Sequence, residues 1–434
     1  MLEITLEELY AIFLKNPLVC TDTRKITPGC LFFALKGENF NGNTFAHQAL
    51  EAGAAYVVVD DFSVVKDKRF LLVDDVLATL QELAKHHRNT WDIPVIGLTG
   101  SNGKTTTKEL IAAVLARKYC TNATIGNLNN HIGVPLTLLG IQPDENTIAV
   151  IEMGANHQQE IAFLSSIAQP THGLITNIGK AHLEGFGGIA GVKKGKGELY
   201  TYLSKKKRVV FVNTQDETLM EMVSKKHAFA EIVFYRTASS EVNPILVEEA
   251  PFVIYENQEK QTIVTHLPGR HNFDNICAAL AIGHYFEVPS DDAHRAISDY
   301  WPDNNRSQVI EKGSNTITLD AYNANPSSMR AAIEHFIRSA APRKMLILGD
   351  MLELGEEAAA EHLAMGQLVA EGNFDTVILT GPLMQHALPA LPKAYYIPDK
   401  FSLHNWIMDH PQKNTHILIK GSRGMGLESV VQFL

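Results

Sequence analysis

The sequence has few cysteines and no long apolar run. Its four cysteines, Cys20, Cys30, Cys120 and Cys277, are scattered without the spacing of metal ligands. Free thiols in a reducing compartment are therefore expected, not disulfides or a zinc site. The longest apolar runs, such as 55–59, are far too short to cross a membrane. No basic segment followed by an apolar stretch begins the sequence, so we expect no secretion signal and a cytoplasmic protein.

Positive charge is also scarce. The chain has 38 Lys and Arg against 48 Asp and Glu, a net charge of -10. This balance argues against a nucleic-acid-binding protein, which would present a basic face. The sequence contains no internal repeat and no low-complexity tract. With 434 residues, 45% hydrophobic and 20% charged, the composition is that of a globular protein of roughly two to four domains.

A glycine-rich segment, Thr99-Gly100-Ser101-Asn102-Gly103-Lys104-Thr105-Thr106, organises the rest of the chain. The apolar run 94–98 before it predicts a buried strand, and apolar residues at helical spacing follow it at 110–115. Glycines between a strand and a helix form a loop whose amides attract phosphate, together with the helix N-terminus. We expect Lys104 to contact the outer phosphates of a nucleotide and Thr105 to bind magnesium.

One position departs from the strict phosphate-loop pattern. Leu98 stands where that pattern has glycine, and glycines occur instead at 97 and 100. The alternative interpretation is a glycine-rich turn that binds nothing. The Gly-Lys-Thr ending and the strand, loop and helix around it favour a phosphate loop.

Apolar runs alternate with helical patterns beyond this loop. The predicted elements are strands at 147–151, 174–176 and 209–212 and helices at 159–167 and 192–203. This alternation predicts a parallel sheet covered by helices, with its ligand at the carboxyl ends of the strands. Glu152 and His182 follow two of these strands. Either residue could face the phosphate loop, with Glu152 as a magnesium ligand, or simply cap a turn.

We divide the chain into three domains, 1–91, 92–301 and 302–434, and predict an α/β fold. The first is small, and its Asp22-Thr23-Arg24 cluster either binds a phosphate or pairs locally. The second is a parallel-sheet domain with the phosphate loop, and it ends in antiparallel hairpins and a helix from about 272 to 286. The third is Rossmann-like and has no second phosphate loop. We therefore expect it to close on the nucleotide of the second domain.

The motifs together resemble those of the Mur ligases, ATP-dependent amide-forming enzymes of peptidoglycan precursor synthesis. The similar segments are 99–106, 127–135, 151–155, 177–183, 196–198, 267–275, 320–326, 349–355 and 420–423. Tyr-Asn-Ala-Asn-Pro at 322–326 and Gly-Asp-Met-Leu-Glu-Leu-Gly at 349–355 are similar to one branch in particular. Members of that branch join D-alanyl-D-alanine to UDP-N-acetylmuramoyl-tripeptide, and Asp22-Thr23-Arg24 resembles their UDP-binding domain.

The resemblance implies ATP, two Mg2+ ions and an acyl-phosphate intermediate. It assigns catalysis to Lys104, Glu152, His182 and Lys196. One ion would bind Thr105 and Glu152, and the second would bind Glu152, His182 and a carbamylated Lys196. Without the resemblance, Lys196 would be interpreted as a solvated residue of the basic run 193–196.

The resemblance also implies contacts to nucleotide and substrates. Segment 99–106 would hold the phosphates, Asn275 the adenine, and Arg306 and Asp320 would grip ATP from the third domain. The implied substrate-binding residues are Thr23, Arg24, Asn129, Asn130, Tyr322, Asn323 and Asn325. The expected partners are these small molecules alone, with no membrane span, and the protein is expected to be a monomer.

Two segments depart from the family pattern. Asn41-Gly42-Asn43 stands where Asp-Gly-His is usual, and 156–160 lacks the usual Gly-Glu pair. Three alternatives stay open: another carboxylate-amine ligase such as a folylpolyglutamate synthase or an earlier-acting Mur ligase, a nucleotide-binding regulatory protein, and a strict ATPase or kinase. An active ligase is favoured because all five of the expected metal and phosphate residues are present, namely Lys104, Thr105, Glu152, His182 and Lys196.

Overall fold

The structure is a computed structural model that describes residues 4–225, 228–238 and 242–434, so that 1–3 of the predicted first domain lie outside it. The helices are α1 (Leu6–Lys15), α2 (Ala46–Glu51), α3 (Val76–Asn89), α4 (Lys104–Leu115), α5 (Gly133–Leu139), α6 (Glu160–Ala168), α7 (Leu183–Phe186), α8 (Ile189–Lys196), α9 (Glu198–Lys205), α10 (Glu217–Ser224), α11 (Arg270–Tyr285), α12 (Ser290–Asp299), α13 (Pro326–Arg338), α14 (Ala358–Ala370) and α15 (Lys400–Asp409). The strands are β1 (Val19–Cys20), β2 (Leu31–Phe33), β3 (Lys36–Gly37), β4 (Phe40–Asn41), β5 (Tyr56–Val59), β6 (Phe70–Leu72), β7 (Val95–Thr99), β8 (Cys120–Ala123), β9 (Thr147–Glu152), β10 (His172–Ile175), β11 (Val209–Asn213), β12 (Glu231–Tyr235), β13 (Ile245–Glu248), β14 (Ile254–Glu256), β15 (Thr262–Val264), β16 (Gln308–Lys312), β17 (Asn315–Asp320), β18 (Lys344–Gly349), β19 (Thr376–Thr380), β20 (Tyr395–Ile397) and β21 (His416–Lys420).

The N-terminal part of the chain forms a small parallel sheet in the order β1-β2-β5-β6. Helix α1 begins with a capping box, in which Thr5 and Glu8 satisfy each other's backbone amides. Its apolar residues Leu9 and Phe13 pack into the core beside Phe33 of β2. Burial of one apolar face of the helix against the sheet stabilises this unit.

The central sheet is parallel throughout, in the order β12-β11-β10-β7-β9-β8. Strand β7 lies in its middle, and all five of its residues are buried because helices cover both faces. Strands β7, β9 and β10 end side by side, at Thr99, Glu152 and Ile175. The antiparallel strands β13, β14 and β15 form the predicted hairpins before α11.

The C-terminal sheet has the order β16-β17-β21-β18-β19-β20. Only β16 pairs antiparallel within it, with β17. The α/β fold class is confirmed, and the predicted domain boundaries at 91/92 and 301/302 fall between these sheets. Among the described helices, none combines the length and apolar character that crossing a membrane requires.

One predicted helix is two in the structure. The sequence pattern predicts a single helix over 192–203, whereas α8 ends at Lys196 and α9 starts at Glu198. A side chain at the junction residue Gly197 would bring its Cβ within 2.9 Å of the Lys193 carbonyl oxygen. Lys196, the last residue of α8, is 1% exposed, so its interpretation as a solvated residue is wrong.

Candidate active site

A cleft of about 720 Å³ lies between the carboxyl ends of the central strands and the C-terminal domain. The predicted residues in its wall are Ser101, Asn102, Gly103, Lys104, Thr106, Asn129, Asn130, Glu152, His182, Asn275, Arg306, Asp320, Tyr322, Asn323 and Asn325. The wall does not include Thr99, Gly100, Thr105 or Lys196 from the central domain, nor Thr23 and Arg24. The structure thus brings residues from two distant parts of the chain to one cavity.

The phosphate loop connects β7 to α4. Gly103 precedes the helix with a φ of 77°, a left-handed conformation that favours glycine. A Cβ at this residue would lie 2.7 Å from Oδ1 of Asn275. Leu98, where the sequence departs from the strict pattern, is a fully buried residue of β7. The departure therefore lies in the strand and leaves the loop itself unchanged.

Lys104 is the first residue of α4, and its side chain folds back over the loop. Its Nζ donates hydrogen bonds to the carbonyl oxygens of Gly100 at 2.8 Å and Ser101 at 3.3 Å. Burial lowers the pKa of Lys104 to about 8, and the charge of Glu152 only partly offsets this effect. An anion in the cleft would favour the charged ammonium, since opposite charges raise the pKa of an amine.

Glu152 ends β9 and is fully buried. Its Oε1 accepts hydrogen bonds from Asn129 Nδ2 at 2.7 Å and from Thr105 Oγ1 at 3.3 Å. Its Oε2 is buried and has no hydrogen-bond partner in the part of the chain that the structure describes. An unpaired buried carboxylate oxygen is costly unless a cation compensates it.

The residues around Glu152 fit a magnesium ion that arrives with a nucleotide. Within the described ranges, no three His, Cys, Asp or Glu side chains are grouped closely enough to hold a metal by themselves. Mg2+ is usually held by one or two protein ligands, with phosphate oxygens and waters completing its octahedron. The Glu152 carboxylate and the Thr105 hydroxyl supply ligands of this kind beside the phosphate loop.

Lys196 lies at the end of α8. Its Nζ donates to the carbonyl oxygen of Ala155 at 2.9 Å and lies 5.0 Å from the centre of the Phe186 ring. Burial lowers the pKa of Lys196 well below its usual value, and Lys104 lowers it further, while nearby carboxylates oppose the change. The environment therefore favours an uncharged amine.

His182 and Glu353 meet where the central and C-terminal domains touch. His182 precedes α7, and its Nδ1 lies 2.5 Å from Oε2 of Glu353, which comes from the C-terminal domain. This hydrogen bond holds the pKa of Glu353 below its usual value. Glu353 belongs to the family motif at 349–355, but no role was predicted for it.

Two charged groups of the C-terminal domain are paired at the ends of adjacent strands. Asp320 ends β17 and forms an ion pair with Lys420, which ends β21 and is 1% exposed. Burial is the largest influence on the pKa of Asp320 and would raise it, but the charge of Lys420, its hydrogen bond and smaller contributions from His271 and the Ser307 amide together hold that pKa below its usual value. Lys420 was missed as a site residue. The signal was present, because a charged residue after the apolar run 417–419 resembles Glu152 at the end of β9.

Arg306 and Arg423 lie against one aromatic ring. The guanidinium carbon of Arg306 lies 3.6 Å from the centre of the Tyr322 ring, and that of Arg423 lies 4.7 Å from it. The buried Nε of Arg306 has no hydrogen-bond partner within the described residues. The backbone amide of Arg423 donates to Oδ1 of Asn323 at 3.4 Å. The arrangement presents positive charge to the cleft.

Asn275 lies behind the phosphate loop on α11. Its Oδ1 accepts a hydrogen bond from Thr107 at 3.0 Å, and its Nδ2 donates to Asn272 at 3.0 Å. Asn130 also makes local bonds, since its Oδ1 accepts from the amides of Ile132 and Gly133. Both residues still line the cleft.

The N-terminal candidates are arranged locally. Asp22 accepts two hydrogen bonds from the Arg24 guanidinium, at 2.9 and 2.8 Å, and that side chain is 86% exposed. In the departing segment, Asn43 is buried and donates from Nδ2 to Asp60 at 2.7 Å, while Asn41 accepts from the Asn43 amide. These contacts give the departing residues a structural role. A UDP contact by Thr23 or Arg24 stays a prediction.

Comparison with known proteins extends the similarity over almost the whole chain. Three family models match in order: "Mur ligase family, catalytic domain" at 18–88, "Mur ligase middle domain" at 98–283 and "Mur ligase, glutamate ligase domain" at 305–423. The chain belongs to the Mur ligase family. The predicted resemblance is confirmed.

Curated Mur ligases of one kind are similar at full length. The UDP-N-acetylmuramoyl-tripeptide--D-alanyl-D-alanine ligase of Bacillus subtilis is 36% identical over 430 residues, covering 96% of this chain and 92% of the relative. The ligase of the same name from Escherichia coli is 36% identical over 424 residues, with 96% and 93% covered.

Solved structures agree with this assignment. A crystal structure of MurF from Acinetobacter baumannii superposes with a TM-score of 0.84 at 31% identity, covering 95% of this chain and 92% of that one. MurF ligase from Thermotoga maritima, in complex with ADP, superposes with a TM-score of 0.79 at 26% identity, with 97% of each chain covered. Folylpolyglutamate synthase from Mycobacterium tuberculosis superposes with a TM-score of 0.62 at 15% identity, which shows a similar fold and nothing more.

Proposed function

We propose that this Mur ligase joins D-alanyl-D-alanine to UDP-N-acetylmuramoyl-tripeptide at the expense of ATP, in peptidoglycan precursor synthesis. The full-length similarity to ligases of that name supports the substrates. The observation that carries the chemistry is the cleft, in which the phosphate loop and the carboxylate of Glu152 face Arg306 and Asp320 of the C-terminal domain. ATP and an acceptor substrate can therefore share one cavity.

The reaction proceeds in two steps. The terminal carboxylate of the tripeptide attacks the γ-phosphorus of ATP, forming an acyl phosphate and releasing ADP. The amine of D-alanyl-D-alanine then attacks the acyl carbon, phosphate leaves with the electrons of the C–O bond, and the amine loses a proton. Two anions must meet in the first step, so positive charge and alignment are what the protein has to provide.

The chain supplies that charge from both sides of the cleft. Lys104 would contact the outer phosphates from the loop, and Arg306 would reach the nucleotide from the C-terminal domain. Asn275 would contact the adenine, and Asp320 would hold the nucleotide after closure. Magnesium, when bound at Thr105 and Glu152, neutralises phosphate charge and lowers the barrier to attack.

We assign a second Mg2+ to Glu152, His182 and a carbamylated Lys196. Lys196 is suited to carbamylation because it is buried, and burial favours the uncharged amine. Carbamylation requires that amine to attack CO2 and lose a proton. The lowered pKa of this lysine supports that state. A Lys196→Ala variant should lose ligase activity and regain part of it when short carboxylic acids are added, since these supply an anionic ligand.

The remaining assignments follow from the same proposal. Domains 1–91, 92–301 and 302–434 would bind UDP, ATP and the dipeptide, respectively. Thr23 and Arg24 would contact UDP, Asn129 and Asn130 the tripeptide, and Tyr322, Asn323 and Asn325 the dipeptide. We propose that the reaction takes place in the cytoplasm and that the protein is a monomer. Free thiols at all four cysteines support a reducing compartment.

The test is release of ADP by the purified protein with ATP and Mg2+, with each substrate alone and with both. Formation of UDP-N-acetylmuramoyl-pentapeptide with ADP release only when both substrates are present would establish the proposal. Parallel assays with lysine and with diaminopimelate at the third peptide position determine its specificity. ATP consumption without the substrates, or none with either tripeptide, would refute the acceptor chemistry. A pteroyl-glutamate substrate is then the next assay.

A further inference from the structure

The contact between His182 and Glu353 joins two non-glycine residues in left-handed backbone conformations. Their φ angles are 53° and 62°, respectively. Such conformations are uncommon for residues other than glycine, and they cluster at functional sites. His182 belongs to the central domain and Glu353 to the C-terminal domain, so their side chains meet only because the two domains are together.

The segment that carries Glu353 is held firmly on its own domain. The backbone amide of Met351 donates to His362 Nε2 at 3.0 Å, and that of Leu352 donates to Ser422 Oγ at 2.9 Å. A backbone bond also joins the two domains, from the amide of Glu184 to the carbonyl oxygen of Glu353 at 3.3 Å. The Glu353 carboxylate is thus delivered to His182 by a fixed loop.

The hydrogen bond determines which imidazole nitrogen carries a proton. A carboxylate oxygen 2.5 Å from Nδ1 of His182 favours the arrangement in which Nδ1–H donates to Glu353. In the neutral imidazole the other nitrogen, Nε2, then has a free lone pair, and no hydrogen bond to it occurs within the described ranges. A histidine that binds a metal through one nitrogen commonly donates its other N–H to a carboxylate in this manner.

We propose that Glu353 is a positioning residue that acts through His182. When the C-terminal domain closes, its carboxylate accepts a hydrogen bond from Nδ1–H and holds the imidazole ring with the Nε2 lone pair free for a metal in the cleft. Metal binding at His182 is thereby coupled to domain closure. This inference rests on the proposed function, which makes His182 a metal ligand.

The experiment compares Glu353→Ala and Glu353→Gln with Glu356→Ala, a control at an exposed residue of the following turn. We expect Glu353→Ala to lower kcat by about 10- to 100-fold, the usual effect of losing such a partner. The KM for ATP should change less than about twofold, because the phosphate loop is intact. Glu353→Gln should retain more activity, since its amide oxygen can still accept the hydrogen bond from Nδ1–H, and the control should match the parent protein.

A second measurement does not depend on turnover. Nitrogen NMR of histidine-labelled protein, with the His182 signal assigned from His182→Ala, reports the tautomer directly. The parent protein with ADP and Mg2+ should show the Nδ1–H form, and Glu353→Ala should lose it. An unchanged tautomer in Glu353→Ala, or a kcat within twofold of the parent, would overturn the proposal even if the ligase reaction stands.

The double variant separates this proposal from the proposed function. In the His182→Ala background, adding Glu353→Ala should cause no further loss of kcat. A further loss of the same size as in the parent would show that Glu353 acts elsewhere. Wild-type turnover by His182→Ala alone would instead refute the role of His182 in the proposed function, whatever the tautomer measurement gives.

Discussion

Asn325 donates a hydrogen bond from Nδ2 to Oδ1 of Asn102, with 2.7 Å between the two atoms. The bond ties the start of α13 to the tip of the phosphate loop. Oδ1 of Asn325 also caps α13, because it accepts from the backbone amide of Ser328 at 2.9 Å. Both ends of this amide are thus used within the protein, so the contact with D-alanyl-D-alanine that we propose for Asn325 would replace one of these two bonds.

The two roles of Asn325 can be separated by substitution. Asn325→Asp keeps the capping oxygen but has no donor for Asn102, so Tm should hold while kcat/KM for ATP falls about fivefold, the loss of one hydrogen bond. Asn325→Ala loses both bonds and should also cost about 1 kcal/mol of stability. Thermal melts and steady-state kinetics measure the two effects. An unchanged kcat/KM for ATP in Asn325→Asp would argue against a functional role for the hydrogen bond between Asn325 and Asn102.

Glu152→Gln should raise stability while removing activity. The substitution keeps the acceptor for Asn129 and Thr105 but removes a buried charge whose second oxygen has no partner in the described structure. Because an uncompensated buried charge is unfavourable, the variant should melt at a higher temperature than the parent without Mg2+. Adding Mg2+ and ADP should raise the Tm of the parent more than that of the variant. A lower Tm in the metal-free variant would contradict this account.

Substitutions of Asp320 and Lys420 should have non-additive effects on the free energy of unfolding, because the two residues form an ion pair. Lys420→Met leaves the partly buried Asp320 carboxylate without its partner and should destabilise the protein by at most about 3 to 5 kcal/mol, the cost for a fully buried pair. The double variant Asp320→Asn/Lys420→Met should recover part of that loss, since no unpaired charge is left. Its ATP affinity should stay low if Asp320 holds the nucleotide. Denaturant unfolding and ADP titration give the two quantities, and additive stability losses would show that the residues are uncoupled.

His172 should make the protein sensitive to acid. The ring packs near Phe286 and Tyr285, with centroid distances of 5.0 and 5.4 Å, and burial lowers its pKa to about 4. The unfolded chain has a histidine pKa near about 6.5, so it takes up the proton first as the pH falls. The contribution of neutral His172 is complete above about pH 6.5 and is lost progressively towards pH 4.

His172→Phe tests this pH dependence, because phenylalanine fits the aromatic surroundings and does not titrate. The decrease in Tm between pH 7 and pH 5 should be smaller in the variant than in the parent. His335 and His416 also have a pKa of about 4 because of burial, so part of the decrease should remain. An identical pH profile in parent and variant would exclude His172 as a source.

Lys104→Ala should abolish ligation and leave the fold intact. Loss of one fixed positive charge at the phosphates should cost at least about 3 to 4 kcal/mol of transition-state stabilisation, by analogy with loss of one oxyanion donor. Circular dichroism and ligase rates check the two halves of the expectation. Near-parental turnover would contradict the assignment of the phosphate loop.

Local patterns were sufficient to predict the centre of the site. The phosphate loop could be predicted because a buried strand, glycines and an amphipathic helix follow each other within 95–115. Glu152 could be predicted because a polar residue that ends an apolar strand reaches the carboxyl edge of the sheet. The parallel sheets themselves follow from alternating strands and helices.

Contacts between domains could not be predicted in this way. His182 and Glu353 are 171 positions apart, and Asn102 and Asn325 are 223 apart, so no local pattern connects them. Burial of Lys196 was also hidden, because a lysine within a basic run usually points to solvent. The side chain lies instead against the carbonyl oxygen of Ala155 and the ring of Phe186, which are outside its own helix.

The shared walls of the cleft have a pharmacological consequence. A small molecule wedged between Asn102 and Asn325 would hold the domains apart while leaving the phosphate loop able to bind ATP. Its potency would not decline as the ATP concentration rises, unlike that of a compound that occupies the loop. Because its target would be a gap between two surfaces, selectivity over other ATP-dependent enzymes would come from the fit of both walls together.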